Sequence, residues 1–226
     1  MGPAEAAVRR GEQQGDPPIF DSAFRDRLAK LFAWRRDVRR FKPDPVPSPL
    51  IEELLGLAAL APSVGNSQPW RFVSVETPSA REAVIANFNA CNAAALASYE
   101  GERAALYASL KLSGLREAPM HLAVFCDHAT EAGFGLGRKT MPEALDYSVV
   151  AAIHTFWLSA RAKNLGVGWV SILDPGELSR TLDVPPAWKL IAYLCVGFPL
   201  EEHLDPELVR HAWQPHLGEN EWLHRR

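Results

Sequence analysis

Apolar residues recur at helical spacing in some stretches of this chain and alternate or run continuously in others, and the two patterns interleave. Phe24, Leu28, Leu31 and Phe32 fall three or four apart behind the capping candidates Asp21 and Ser22, which predicts a helix over 21–34. A second helix is predicted over 49–61, with Ser48 as its cap, Leu50, Leu54, Leu55 and Ala58 on one face and Pro62 as its stop. Four prolines in 42–49 exclude a continuous helix or a central strand there and leave a linker. Residues 70–75 alternate as a strand, and 121–127, 166–173 and 190–198 are short apolar runs of the kind that form buried strands. Helical patterns fill 81–91 and 176–182, while the Ala-rich stretch 93–112 is interrupted at Gly101 and reads as two helices joined near Tyr99. Residues 147–162 form a strongly apolar helix expected to be buried on most sides, with His154 as a core histidine. Helices outnumber strands and alternate with them, so a layered α+β or α/β domain is expected.

The ends differ from this body. Residues 1–18 carry Ala, Gly, Gln and charge without a sustained period and are read as a mobile N-terminal extension, with one domain over 19–226. From Glu201 onward charge, Pro and Trp mix without a clear period, yet Trp213 and Trp222 are costly to leave in water and must lie on something. The chain has 226 residues, of which 47% are hydrophobic, enough for a packed core. Its 24 Lys and Arg against 27 Asp and Glu give a formal charge of -3, which argues against nucleic acid as a partner. No apolar stretch reaches the roughly 20 residues of a membrane-spanning helix, and no leader pattern opens the chain, so a cytoplasmic protein is expected. Cys91, Cys126 and Cys195 are widely spaced and read as reduced, largely buried thiols. The histidines are scattered, with no metal-ligand spacing, no nucleophile elbow and no phosphate loop, and no metal is expected.

Three segments carry candidate chemistry. Arg35, Arg36, Asp37, Val38 and Arg39 close the first predicted helix. Three guanidiniums so close together suit a phosphate, although cations at a helix C-terminus also read as a solvated basic end. Asp37 either neutralises that cluster or stands over a ligand. The loop from Ala61 through Pro62, Ser63, Gly65, Asn66 and Gln68 to Trp70 offers backbone N–H groups, a hydroxyl and amides to a flat polar ligand, or is a capped connection. Gly166 and Gly168 precede a strand that ends near Ser171, a place for close backbone approach or a tight turn. The glycine run at 133–137 lacks the order of a nucleotide fingerprint and reads as a flexible loop.

In sequence order, Arg35-Arg36-x-x-Arg39-x-Phe41, Ala61-Pro62-Ser63-x-x-Asn66-x-Gln68-Pro69-Trp70 and Gly166-Val167-Gly168-Trp169-Val170-Ser171 resemble the nitroreductase-like flavoproteins. With Gly101-Glu102-Arg103 and Ser109-Leu110-Lys111-Leu112 added, the chain is similar over about 32–213 to the BluB-type dimethylbenzimidazole synthases. Ordinary nitroreductases usually carry Ser or Thr where this chain has Asp37. The resemblance implies a homodimeric α+β fold with a mixed central sheet flanked by helices and FMN at the subunit interface. It further implies that reduced FMN is cofactor and substrate at once. With molecular oxygen it yields 5,6-dimethylbenzimidazole, the lower-ligand base of cobalamin, with erythrose 4-phosphate as co-product.

By position, Arg35, Arg36 and Arg39 would hold the ribityl phosphate and the pyrimidine edge, Val38, Pro62 and Ser63 would line the flavin, and Lys111 and Gly168 would extend the binding set. Asp37 and Ser171 would be the catalytic pair. Reduced flavin is wasted by oxygen in water, so a closed pocket is required, and residues 93–112 are a lid candidate hinged near Gly101, or an ordinary helical hairpin. A separate flavin reductase would supply the reduced flavin. The competing functions are an NAD(P)H-dependent nitroreductase or flavin reductase, in which FMN survives, and a non-enzymatic FMN-binding protein.

Overall fold

A computed structural model describes residues 16–217 and 224–226 of the chain. The expectation for Trp222 and most of the N-terminal extension lie outside these residues. Residues 16–18 are exposed and without regular structure.

Helix α1 (Ser22–Trp34) starts where expected, because the Asp21 carboxylate accepts the Phe24 N–H at 2.7 Å. Helix α2 (Ser48–Ala58) departs from expectation: its cap is Pro47, with no side-chain bond, and Ser48 is the first helical residue. Pro49 sits in the first turn, where a missing N–H costs nothing. A short turn (Val64–Asn66) leads into β1 (Trp70–Ser74). Helix α3 (Pro78–Leu96) is longer than its apolar pattern, because Thr77 caps it at Ala80 and the Ala-rich segment continues it. Helix α4 (Gly101–Ser109) follows a break at 97–100, and Gly101 takes φ 55°, a left-handed conformation suited to glycine. Then come β2 (Met120–Asp127), helix α5 (Ala144–Ala162), β3 (Gly166–Val170), helix α6 (Pro175–Thr181), β4 (Trp188–Gly197) and the short helix α7 (Glu207–Arg210).

The strands lie in the order β1-β2-β4-β3, every neighbour antiparallel. A parallel bridge between Asp37 and Val167 on the outer edge of β3 makes the sheet mixed. Strand alternation divides the core. Leu122, Val124 and Cys126 of β2 face α2 and α5 with Leu54, Val149, Ile153 and Phe156, whereas Ala123 and Phe125 face α3 and α6 with Val84, Phe88 and Leu178. The architecture is therefore α+β, a sheet with helices on both faces.

Two expectations about single residues are corrected or refined by the packing. His154 is exposed, not a core histidine, because α5 buries one face against the sheet and turns Tyr147, Val150 and His154 outward. Cys126 and Cys195 are buried and Cys91 is half-buried, all three as free thiols.

One buried polar pair spans β2 and β4. His121 and Tyr193 are 1% and 0% exposed and share a hydrogen bond of 2.9 Å. Burial, with the Arg81 charge as the second cause, lowers the His121 pKa from 6.5 to about 4. The folded state thus refuses a proton that the unfolded chain binds, so stability rises with pH between about 4 and 6.5 and is lost as pH falls through that window. Denaturant unfolding at pH 7 and pH 4 is expected to show an acid loss about 3 kcal/mol larger in the native protein than in His121→Gln, whose side chain gains no charge.

Candidate active site

The arginine segment is built as an extra edge on the sheet. Helix α1 ends at Trp34, and the chain then runs extended beside β3, with the Val38 N–H donating to the Val167 carbonyl at 3.0 Å. Gly166 and Gly168 make this approach possible. A Cβ on Gly168 would stand 2.1 Å from the Val38 carbonyl oxygen, and one on Gly166 would meet the Val38 side chain at 2.8 Å. The glycines of the third sequence segment thus receive the first segment's backbone.

Asp37 is clamped at both oxygens. Its Oδ1 accepts the Trp169 N–H at 2.8 Å, and its Oδ2 accepts Arg39 Nε at 2.8 Å. Burial pushes its carboxyl above the ordinary carboxylate range, and the Arg39 charge and the Trp169 hydrogen bond offset this only in part. Arg39 also donates from Nη1 to the Lys111 carbonyl at 2.7 Å, which ties the end of the α4 segment to the arginines. The Lys111 ammonium pairs with Glu117.

Arg35 and Arg36 are placed differently. Arg35 lies over the Trp157 ring at 4.9 Å, and Arg36 donates from Nε to the Leu204 carbonyl at 2.7 Å. Among the described residues neither pairs with a carboxylate, whereas Arg39, Arg40, Arg161 and Arg210 all do. Two adjacent guanidiniums without a bound carboxylate line a cleft with Trp157 and the carboxylates Asp37, Glu201, Glu202, Asp205 and Glu207, and the Asp205 charge acts on Arg36. This donor set suits an oxyanion with two charges.

The remaining predicted residues fall into two places. Ser171 is exposed just past the end of β3, two residues beyond the amide that holds Asp37, and Gly168 is in the same strand. Pro62 and Ser63 instead precede β1, at the opposite edge of the sheet, where Ser63 Oγ accepts the Gln68 N–H at 3.1 Å. From the arginine segment to β1 is four inter-strand spacings, roughly 19 Å. One chain therefore gathers Arg35, Arg36, Asp37, Val38, Arg39, the Lys111 backbone, Gly168 and Ser171, and leaves Pro62 and Ser63 apart. The Ser63 loop is strained, with positive φ at Gly65, Asn66 and Gln68. The glycine run at 133–137 packs on it, since a Cβ on Gly133 would stand 2.6 Å from the Gly65 carbonyl oxygen.

Sequence spacing missed two groupings. Cys126, His128 and Asp146 bring ligand-type atoms within 4.8 Å of one another. The Asp146 oxygens are taken by His128 at 2.7 Å and Lys189 at 2.6 Å, and this ion-pair network accounts for the cluster. The chain after β4 also returns to the site, where Arg40 pairs with Glu201 and with Glu207, whose side chain is 8% exposed. No local pattern marks these partners, because they meet only across about 160 residues of chain.

Residues 32–198 match the nitroreductase family, and the chain belongs to it. Along most of its length it is also similar to proteins described as 5,6-dimethylbenzimidazole synthase. The one from Rhodospirillum rubrum is 59% identical over 197 residues, 87% of this chain and 93% of that protein. One from Rhodobacter capsulatus is 48% identical over 206 residues, 91% of this chain and 99% of that protein. Among solved structures, oxidized iodotyrosine deiodinase bound to FMN and 3-iodo-L-tyrosine superposes with a TM-score of 0.65 at 24% identity, covering 88% of this chain and 97% of that one, a likeness of fold.

The Gly168 contact gives a direct test of how the segment is seated. Gly168→Ala puts a methyl against the Val38 carbonyl and is expected to destabilise the fold by about 1–3 kcal/mol, read as a lower denaturation midpoint, with the 35–39 segment displaced.

Proposed function

We propose that the protein is a 5,6-dimethylbenzimidazole synthase that consumes reduced FMN and molecular oxygen. The observation that carries the reading is the 59% identity to such a synthase across 87% of the chain. Arg35 and Arg36 are cations without carboxylate partners among the described residues, which fits the phosphate of FMN. Reduced FMN, when bound, supplies both the electrons for oxygen and the carbon skeleton of the product.

The chain's own residues divide the work. Arg35 and Arg36 hold the phosphate, and Arg39 fixes Asp37 and the Lys111 backbone. Asp37 holds or passes a proton at its Oδ atoms, a role helped by the burial that raises its pKa. Ser171 orients the ring system from the end of β3. Pro62 and Ser63 reach a flavin through a second copy of the chain, because their own arginine segment is at the far edge of the sheet. A homodimer also covers the outward apolar residues Phe134, Leu136, Met141, Tyr147 and Val150. Helix α4 closes over the pocket, and a separate flavin reductase delivers reduced FMN from outside.

The decisive assay mixes the purified protein with chemically reduced FMN, admits air, and resolves the products by liquid chromatography and mass spectrometry. Dimethylbenzimidazole is expected with a matching loss of FMN; recovery of intact oxidised FMN overturns the synthase reading, and NADPH turnover would then favour a reductase. In the same assay Asp37→Asn and Ser171→Gly are each expected to lower product yield by about 10²-fold or more while FMN still binds, and unchanged yields would remove both residues from the chemistry.

A further inference from the structure

After β4 the chain forms an arm over 199–213 that touches the arginine segment first and α4 last. At its near end the Leu200 N–H donates to the Arg40 carbonyl at 3.0 Å, and the Leu204 carbonyl accepts Arg36 Nε. At its far end Trp213 presents its ring to two tyrosines, Tyr99 at 5.6 Å with an 86° interplanar angle and Tyr107 at 6.0 Å with 60°. Arg103 lies over the Trp213 ring at 4.7 Å and donates from Nη1 to the Trp213 carbonyl at 3.1 Å. Tyr99 and Tyr107 stack at 4.9 Å, and the Tyr107 hydroxyl donates to Asn92 Oδ1 at 2.7 Å.

The position of this cluster matters. Tyr99 occupies the break before Gly101, where α4 would pivot, and Arg103 and Tyr107 lie one turn apart on α4 itself. Helix α4 buries only Tyr107, too little to fix a nine-residue helix by core packing. It is held instead at two ends, by Lys111 on Arg39 and by Trp213 on Arg103 and the tyrosines. The arm thus joins the two candidate parts of the site, the phosphate-facing arginines and the lid.

We propose that Trp213 and Arg103 are positioning residues: by clamping α4 shut over the flavin they determine how much reduced FMN becomes product. The proposal rests on the reading of α4 as a lid over an FMN site. The competing loss is the transfer of two electrons and two protons from reduced FMN to oxygen, which returns oxidised FMN and hydrogen peroxide. Water entering a loosened pocket favours that loss, whereas a closed lid excludes it.

The test uses the full chain and Trp213→Ala, Trp213→Phe and Arg103→Met variants, with two readouts. Hydrogen exchange of the 97–110 amides in flavin-free protein reports whether the arm holds α4. The molar ratio of dimethylbenzimidazole to hydrogen peroxide after reduced FMN meets air reports what the closure does. Trp213→Ala is expected to speed exchange by about tenfold, the combined effect of two aromatic contacts and a cation over the ring, and to lower the ratio by a similar factor. Trp213→Phe is expected to restore most of both, and Arg103→Met to shift both in the same direction should Trp213→Ala fail to fold. Unchanged exchange in Trp213→Ala, or faster exchange with an unchanged ratio, overturns the proposal. If the unsubstituted protein already returns only intact FMN, the synthase reading itself fails and takes this proposal with it, an outcome visible without any variant.

Discussion

The Asp37 carboxylate is held between the Trp169 amide and the Arg39 guanidinium, and most of what surrounds the site depends on that placement. Oδ1 seats the arginine segment on β3, and Oδ2 aims Arg39 at the Lys111 carbonyl. One side chain therefore ties together the arginine segment, the last residues of β3 and the chain that leaves α4. Such an arrangement is intolerant of shape change, since Gly168 leaves no space between β3 and Val38. The packed surroundings raise the Asp37 pKa even though 30% of its side chain remains exposed, and its two hydrogen-bond partners offset part of that rise.

The distribution of the other site residues follows from topology. A four-stranded sheet with the arginine segment on one edge and the Ser63 loop on the other cannot bring both to one small ligand within a single chain. The outward face of α5 and the loop before it carry Tyr147, Val150, Phe134 and Met141, large apolar groups with no core role. The homodimer we propose would answer both observations, by bringing the Ser63 loop of a second copy to the first copy's arginines. In such a dimer the strained backbone of that loop, supported from behind by the turn at Gly133, would be pre-shaped for its contact.

Much of this was legible in the sequence, because the elements have strong local signals. Asp21 caps α1 and the prolines of 42–49 keep that stretch out of helix and sheet. The strands appear where apolar runs are bounded by turn residues. Boundaries slipped where a local device was hidden: Thr77 starts α3 early, and Pro47 takes the cap position expected for Ser48. His154 faces outward against expectation, because an apolar helix has the same sequence pattern whether its second face meets the core or lies outward. The three site segments stood out as Arg, Gly and polar-loop patterns, whereas the Asp37 contact with Trp169 and the Trp213 contact with Arg103 join residues more than 100 positions apart. Pairings of that separation carry no periodicity.

The bridge between Asp37 and Val167 has one more effect, on solubility. Without it the outer edge of β3 would present free N–H and C=O groups beside Val167 and Val170, a template for pairing with a foreign strand. The segment that carries Arg35, Arg36 and Arg39 is thus also the cover of an edge that would otherwise be adhesive. Loss of the whole carboxylate, unlike its exchange for an amide that keeps the Trp169 contact, would therefore uncover the strand and promote aggregation.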